Sequence, residues 1–349
     1  MRCVIRSTKN GKGASVDIGR CLEFYLTKPV RNWSETILFS PMDRTLAFRL
    51  ATSEDFDEIV TLSKGVYNGH DCLPLKFHEW LQRENLHIVL AYSGEKVVGL
   101  QAYFVVDNGR TFVRRAERIL PELRGQGLVR PLREYIRKHA RAHYPNIQRE
   151  RFTTSFENVN CEEQTKLLEC DVLAYHVESN FFTKAEMSKE NTVQIAPCSK
   201  EYFSDVILSC PLTVKLFPND VIIVNSCPFS PLRSNIDYML QESDEMFVEK
   251  CAEGAFPRSF CIGGLSPRVE FVHWLVSVFT DRPTLFDAHL MYQFKRACKV
   301  IKSEFVFVSF QDRSLTPLAR RLMEDRLQLN ECEYYLNKTM KLYERDCTS

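Results

Sequence analysis

Residues Leu123-Arg124-Gly125-Gln126-Gly127 stand between an apolar stretch ending at Ile119-Leu120 and an amphipathic helix beginning near Leu128. Two glycines around one residue let the chain turn tightly and keep any Cβ out of a ligand's way. The helix that follows aims its unpaired N–H groups and the positive end of its dipole at the same spot. A phosphate or pyrophosphate fits there, and Arg124 adds a guanidinium able to hold it through two hydrogen bonds. An ordinary strand-to-helix turn accounts for such residues about as often, so the surrounding order of elements decides the meaning.

That order is regular from Leu46 onward. Leu46–Ala51 reads as a strand, and Thr52 caps a helix with Phe56, Ile59, Val60 and Ser63 on one face. A loop from Gly65 to Pro74 leads to a short helix around Phe77–Leu81. His87–Tyr92 and Val97–Phe104 form a hairpin, and Asp107-Asn108-Gly109 delivers a fourth strand, Thr111–Leu120. After the glycine turn comes a helix with Leu128, Leu132, Tyr135, Ile136, His139, Ala140 and His143 on one face. A fifth strand at Phe152–Phe156, a helix over Glu162–Glu169 and a strand near Val172–Val177 follow. The dinucleotide fingerprint G-x-G-x-x-G is absent and the turn follows the fourth strand, which excludes the alternating βαβα plan. The expected class is α/β (α+β), a mixed, mostly antiparallel sheet flanked by helices.

The bulk numbers exclude several functions. A net charge of +1 gives no global case for nucleic acid or an anionic membrane. No apolar run is long enough to span a bilayer. Thirteen cysteines without a CxxC pair read as reduced, mostly buried thiols, Cys210, Cys227 and Cys298 among them. This points to the cytoplasm. The basic stretch Met1–Arg20 leaves a mitochondrial presequence as the alternative, with a loosely packed arm over 1–44 favoured. His139 and His143 have the i, i+4 spacing of a metal pair but no third ligand, so no metal is expected.

At this point the residues resemble the GNAT acetyltransferase superfamily over roughly Thr45 to Phe182. Within it, Tyr67-Asn68-Gly69-His70-Asp71-Cys72-Leu73-Pro74, Phe77, Trp80-Leu81 and Pro121–Leu128 are similar to the animal histidine N-acetyltransferase branch. The resemblance implies that Arg124, Gly125, Gln126, Gly127, Leu128 and Val129 cradle acetyl-CoA pyrophosphate, and that fourth-strand main chain near Ile119 and Leu120 meets the pantetheine. It also implies that the acceptor amine enters beside the loop between the first two helices. Val129 stands where the superfamily has a small residue, Arg115 where it often has an acid, and Leu168 about where many members carry a tyrosine.

Acetyl transfer from a thioester needs a neutral amine, and an α-amino group with a pKa near ~8 needs only a modest base. Glu117 is the candidate base, sharing a strand face with Arg115 by alternation; a salt bridge to Arg114, Arg115 or Arg118 is the alternative. Tyr175 is the candidate proton donor to the thiolate. A backbone N–H near Ile119 or Leu120 would hold the oxyanion. Tyr67, His70, Asp71, Tyr103 and Arg114 are placed at the acceptor, with Arg114 or Arg118 for a substrate carboxylate. The expected activity is acetyl-CoA-dependent N-acetylation of a small amine, most simply a free amino acid such as L-histidine. Peptide N-termini, polyamines or non-catalytic acyl-CoA binding are the alternatives.

Beyond Lys189-Glu190-Asn191 the pattern partly repeats. A strand at Phe271–Val276, a turn at Asp281-Arg282-Pro283, a helix through Phe286 and Ile301, a strand at Phe305–Phe310, a helix over Leu315–Leu327 and a strand at Glu333–Leu336 follow in order. We read 45–188 as the acetyltransferase domain. Residues 189–349 read as an α+β domain, a degenerate GNAT-like repeat without the glycines of a cradle or an unrelated fold. The sequence leaves the oligomeric state open.

Overall fold

The apolar runs pair in the order that their spacing predicts, and the computed structural model describes residues 35–39, 44–155, 164–179, 181 and 193–347. In the first half these are β1 (Glu35–Phe39), β2 (Arg44–Leu50), α1 (Phe56–Ser63), α2 (Leu73–Leu81), β3 (Leu86–Ser93), β4 (Lys96–Val106), β5 (Thr111–Ile119), α3 (Val129–His143), β6 (Arg149–Thr154) and β7 (Thr165–Val177). The second half begins with β8 (Ile195–Pro197), α4 (Lys200–Tyr202), α5 (Pro211–Val214), β9 (Ile222–Val224), β10 (Cys227–Phe229), α6 (Ile236–Glu242) and β11 (Glu245–Glu249). It continues with β12 (Ser259–Pro267), β13 (Val272–Thr280), α7 (Pro283–Val300), β14 (Phe305–Gln311), α8 (Thr316–Arg320), β15 (Asn330–Glu331) and β16 (Thr339–Asp346).

Among the described residues one sheet runs β1-β2-β3-β4-β5-β6-β16-β7-β14-β13-β12-β11-β8. Its pairs are antiparallel except β5–β6 and β13–β14, which are parallel. The two parallel pairs hold corresponding places in the two halves, each joined by a crossover helix, α3 or α7. Helices cover both faces in the first half: Tyr103 of β4 reaches His139 of α3, while its neighbour Phe104 faces Arg115, which lies over Trp80 of α2. Two-sided cover explains why β4 is buried along nearly its whole length instead of alternating.

The halves are joined by exchanged strands. β7, last in the first half, pairs with β14 of the second. β16 returns to pair with β6 of the first, and β7 and β16 pair with each other. Sheet membership therefore crosses the expected division at 188/189, and the described residues fall in one compact unit.

Three local expectations change. Within the arm expected over 1–44, Glu35–Phe39 is a strand that pairs with β2 and covers its edge. The helix expected over Glu162–Glu169 is strand from Thr165 on; residues 162–163 lie outside the described residues. Helix-forming residues there yield to a partner along the register Thr165↔Glu344 to Glu169↔Lys341, so Leu168 faces Leu342 in the sheet. The strand expected at Glu333–Leu336 is a single helical turn, and the strand follows at Thr339 after Asn337 turns the chain at φ 54°.

The second half is also fastened to the β4–β5 turn. Asp107 is fully buried and accepts from Ser230 N (3.1 Å), Ser230 Oγ (2.9 Å) and Asn235 Nδ2 (2.6 Å), and its own N–H donates to Asn235 Oδ1 (3.0 Å). Asn235→Ala removes two partners and leaves buried polar groups unmatched. It should cost about 2–4 kcal/mol, read as a shift of the urea midpoint; a change below ~0.5 kcal/mol would show that the turn is held by other contacts.

Candidate functional site

The site opens where β5 leaves β6. Their pairing ends at Arg114↔Phe152. Two residues later Ala116 takes φ 53°, and the β4–β5 register slips between Leu100 and Ala102. This is a bulge, which re-aims the side chains around it. Alternation would put Glu117 beside Arg115, but the bulge separates them. Arg115 lies over Trp80 (4.3 Å) and pairs with Glu242 (3.0 Å). Glu117 turns to α3 and accepts from Arg133 Nε (2.7 Å), Arg133 Nη2 (2.9 Å) and Gln101 Nε2 (2.9 Å), with Arg114 Nη1 at 3.9 Å. The expected salt bridge to Arg114 is therefore present at 3.9 Å, and a shorter one comes from Arg133 of α3.

A cavity of about 570 Å³ occupies the divergence. On the first-half side it is lined by Tyr67, His70–Leu73, Trp80 and Arg114–Arg118, and by Phe152–Ser155 of β6 and its end. Arg268, Tyr334, Tyr335, Lys338 and Met340 close it from the second half. Tyr67, His70, Asp71, Arg114 and Glu117 thus line one cavity. Arg114 is buried, bonded to Glu150 and stacked on Phe152 (4.4 Å). Arg118 donates to Asp71 Oδ1 (2.9 Å) and Tyr67 Oη (3.2 Å). Neither arginine is free of a carboxylate, so neither is the open cation expected for a substrate carboxylate.

His70 is sandwiched between Phe271 (4.1 Å, 5°) and Tyr334 (4.6 Å, 16°), with Nδ1 2.9 Å from His273 Nε2. Burial first, then the charges of Arg268, His176 and Lys338, hold its pKa down at about 4, so the ring is neutral at physiological pH. Lys338 stands 3.0 Å over the Tyr334 ring, and burial lowers its pKa to about 8.

At the far end of β5, Gly125 and Gly127 adopt φ 74° and 79°, a region that favours glycine. A Cβ on Gly125 would meet nothing within 4 Å, so the turn faces open space. Arg124 Nε donates to Ile119 O (3.1 Å), tying the turn to the strand; Gln126 Nε2 donates to Glu122 O (3.0 Å). Leu128 is buried in the core and Val129 packs against it, while the first turn of α3 leaves N–H groups without helical partners. These groups fit a pyrophosphate. Leu120 N–H donates to Val98 O (3.0 Å), which removes it as an oxyanion donor.

Two expected residues lie elsewhere. Tyr103 is fully buried beneath α3, its hydroxyl 2.6 Å from His139 Nδ1. Tyr175 is fully buried in the second half's core, and its hydroxyl donates to Glu324 (2.8 Å). On β7 it is Val172 that lines the cavity, and three residues' separation on an alternating strand sends Tyr175 to the other face. His139 and His143 stack at 4.1 Å, and no metal-holding cluster occurs among the described residues. No helix among them is long and apolar enough to cross a membrane. Trp80, one of the residues that carry the resemblance, also lines the cavity, whereas Gln101, Arg133, Arg268 and Lys338 have no signature in the sequence, since each reaches the site through packing between distant segments.

Tyr175→Phe should lower stability by about 1 kcal/mol through the lost bond to Glu324 and leave turnover within about twofold; a much larger loss of kcat would restore Tyr175 to the chemistry. Burial also holds His87 and His139 at about 4 and His289 at about 3. Unfolded histidines titrate near ~6.5, so between pH 4 and that value the unfolded chain binds more protons. Stability is therefore full above about pH 6.5 and declines as the pH falls toward 4. Calorimetric melting temperatures from pH 7.5 to 4.5 should drop across that window, and a flat profile would contradict the buried neutral rings.

The family described as "Histidine N-acetyltransferase, C-terminal" matches residues 191–312. A histidine N-acetyltransferase from Xenopus tropicalis is 30% identical over 222 residues, covering 60% of this chain and 67% of the relative. One from Oreochromis niloticus is 25% identical over 291 residues, covering 77% and 85%. A GCN5-related N-acetyltransferase from Sphaerobacter thermophilus superposes with a TM-score of 0.56 at 10% identity, over 86% of this chain and 95% of that one, which shows the GNAT fold across both halves. The chain is a GNAT-fold N-acetyltransferase and belongs to the histidine N-acetyltransferase family.

Proposed function

We propose that the chain transfers an acetyl group from acetyl-CoA to the α-amino group of a free amino acid, with L-histidine the acceptor suggested by the names of its relatives. The observation that carries this reading is the placement of two features on one strand. β5 leads into an open glycine turn before the α3 N-terminus, and its bulge borders a half-buried cavity bounded by both halves. Acetyl-CoA supplies a thioester, an acyl donor that a neutral amine attacks directly.

The turn residues Arg124–Val129 would hold the pyrophosphate, and the β5 backbone approaching Ile119 would flank the pantetheine. In the transfer the amine nitrogen bonds to the acyl carbon, the C–S bond breaks and one amine proton must leave. Glu117 is the carboxylate at the bulge and takes that proton, directly or through water. Arg133 and Gln101 fix its orientation, so its free lone pairs point in a set direction. Tyr67, His70 and Asp71 form the acceptor wall. The neutral His70 ring, stacked between two aromatics, is positioned as a shape element and not as a charge.

Isothermal titration should show acetyl-CoA binding that Gly125→Trp weakens at least about tenfold; unchanged binding would move the donor site elsewhere. Thiol release with acetyl-CoA and a mixed amino-acid pool separates an enzyme acting on free amino acids from a polyamine or peptide acetyltransferase, and from a binder. Glu117→Gln should reduce kcat/KM at pH 7 by about 10²-fold. Its residual rate should climb with pH through the amine's own pKa near ~8. An unaltered pH profile would exclude Glu117 as the base.

A further inference from the structure

Six cationic side chains line the cavity: Arg114, Arg115, Arg118, Arg133, Arg268 and Lys338. Four of them face carboxylates, in the pairs Arg114–Glu150, Arg115–Glu242, Arg118–Asp71 and Arg133–Glu117. Arg268 and Lys338 have no carboxylate at ion-pair distance among the described residues. Arg268 Nη2 donates only to the amide oxygen of Asn225 (3.2 Å), and its Nε is buried without a partner. Lys338 Nζ rests on the rings of Tyr334 (3.0 Å) and Tyr335 (5.1 Å).

Both are placed by rigid backbone from the second half. Arg268 sits in the β12–β13 turn, where Val269 N–H donates to Asp71 O (2.9 Å) and Glu270 N–H to Gly69 O (3.1 Å). That docking is close: a Cβ on Gly69, itself at φ 83°, would lie 2.6 Å from the Glu270 side chain. Lys338 precedes the exchanged strand β16, and its carbonyl accepts from Val172 N–H (3.0 Å). The two charges share a neighbourhood, since after burial both contribute to depressing the same His70 ring. Uncompensated cations in a half-buried cavity carry a desolvation cost that a bound anion removes.

We infer that Arg268 and Lys338 form the subsite for the carboxylate of the acceptor, holding it while the α-amino group faces the β5 bulge. The inference rests on the acetyl-transfer reading and narrows it to acceptors that carry a free carboxylate. Arg268 offers a planar fork to the carboxylate and Lys338 a point charge.

The test compares acetylation of L-histidine with that of its carboxamide, by wild-type protein and by Arg268→Gln, Lys338→Met and the charge-keeping Lys338→Arg. Wild type should favour the free acid by roughly 10²-fold in kcat/KM. Each loss of charge should raise KM for the acid by about tenfold or more and shrink the preference by the same factor. KM for acetyl-CoA and the melting temperature should stay unchanged, and Lys338→Arg should keep most of the preference. Wild type using acid and amide equally, or charge-loss variants keeping the preference, would overturn the subsite while acetyl transfer stands. An effect confined to the KM for acetyl-CoA would assign the two cations to the donor's phosphates and also overturn it. Acetylation of neither compound, nor of any amino acid in the mixed pool, would reject the acetyl-transfer reading, and the subsite with it.

Discussion

The four-strand succession β6-β16-β7-β14 is the constraint on which the rest of the molecule depends. A parallel pair such as β5–β6 leaves the outer edge of β6 open, and an open edge must be covered or paired. Here it is paired by a strand that arrives from the other half, while the first half's own last strand serves β14 in return. The halves therefore share a hydrogen-bond ladder and are not two bodies touching through side chains. Anything attached to the ends of the exchanged strands is carried into the opposite half with backbone precision. This is how Tyr334, Tyr335 and Lys338, far from Tyr67 in sequence, come to face it across the cavity.

The second organising element is the distribution of charge around that cavity. Glu150 accepts from both Arg114 and Arg137, and Glu242 from both Arg83 and Arg115, so single buried carboxylates neutralise pairs of guanidinium groups. Burial alone would raise the Glu242 pKa, yet Arg115 and Arg83 pull it down to about 2. Each of these carboxylates is thus held by two guanidinium groups, the kind of fixed polar arrangement on which preorganised catalysis relies. The arginines of α3 contribute at one-turn intervals: Arg133 holds Glu117, Arg137 holds Glu150, and Arg141 caps the Cys347 carbonyl. One helical face thereby sets the geometry of the strand that bears the bulge.

Where local residues dictate local backbone, the sequence was readable. The glycines at 125 and 127 could be assigned because left-handed φ is costly for other residues, and the helix after them because its apolar period is 3.6. The hairpin and the fourth strand followed from alternation between turn residues. The bulge at Ala116 has no such signature, since alanine has no preference for positive φ, and it alone moves Glu117 from one face of the strand to the other. Lys166 and Glu169, spaced as on a helix, form their ion pair from within a strand because β16 and β7 select the extended form. Tyr334 and Tyr335 read as strand by composition, yet they form a turn whose rings enclose His70. The charged pairs of the cavity were illegible for a different reason. Each joins segments separated by tens to more than a hundred residues, and a sequence without its contacts does not reveal which arginine meets which acid.

The exchange of β7 and β16 also sets an order of events during synthesis. When residues up to 177 have been made, the first half has its glycine turn, its crossover helix and its bulge, but the outer edge of β6 still lacks its strand, because residues 339–346 do not yet exist. The nascent half must hold that edge unpaired, or pair it provisionally with β7, until most of the second half has been translated. Any provisional β6–β7 pairing would have to open again to admit β16, the strand that lies between them in the finished sheet.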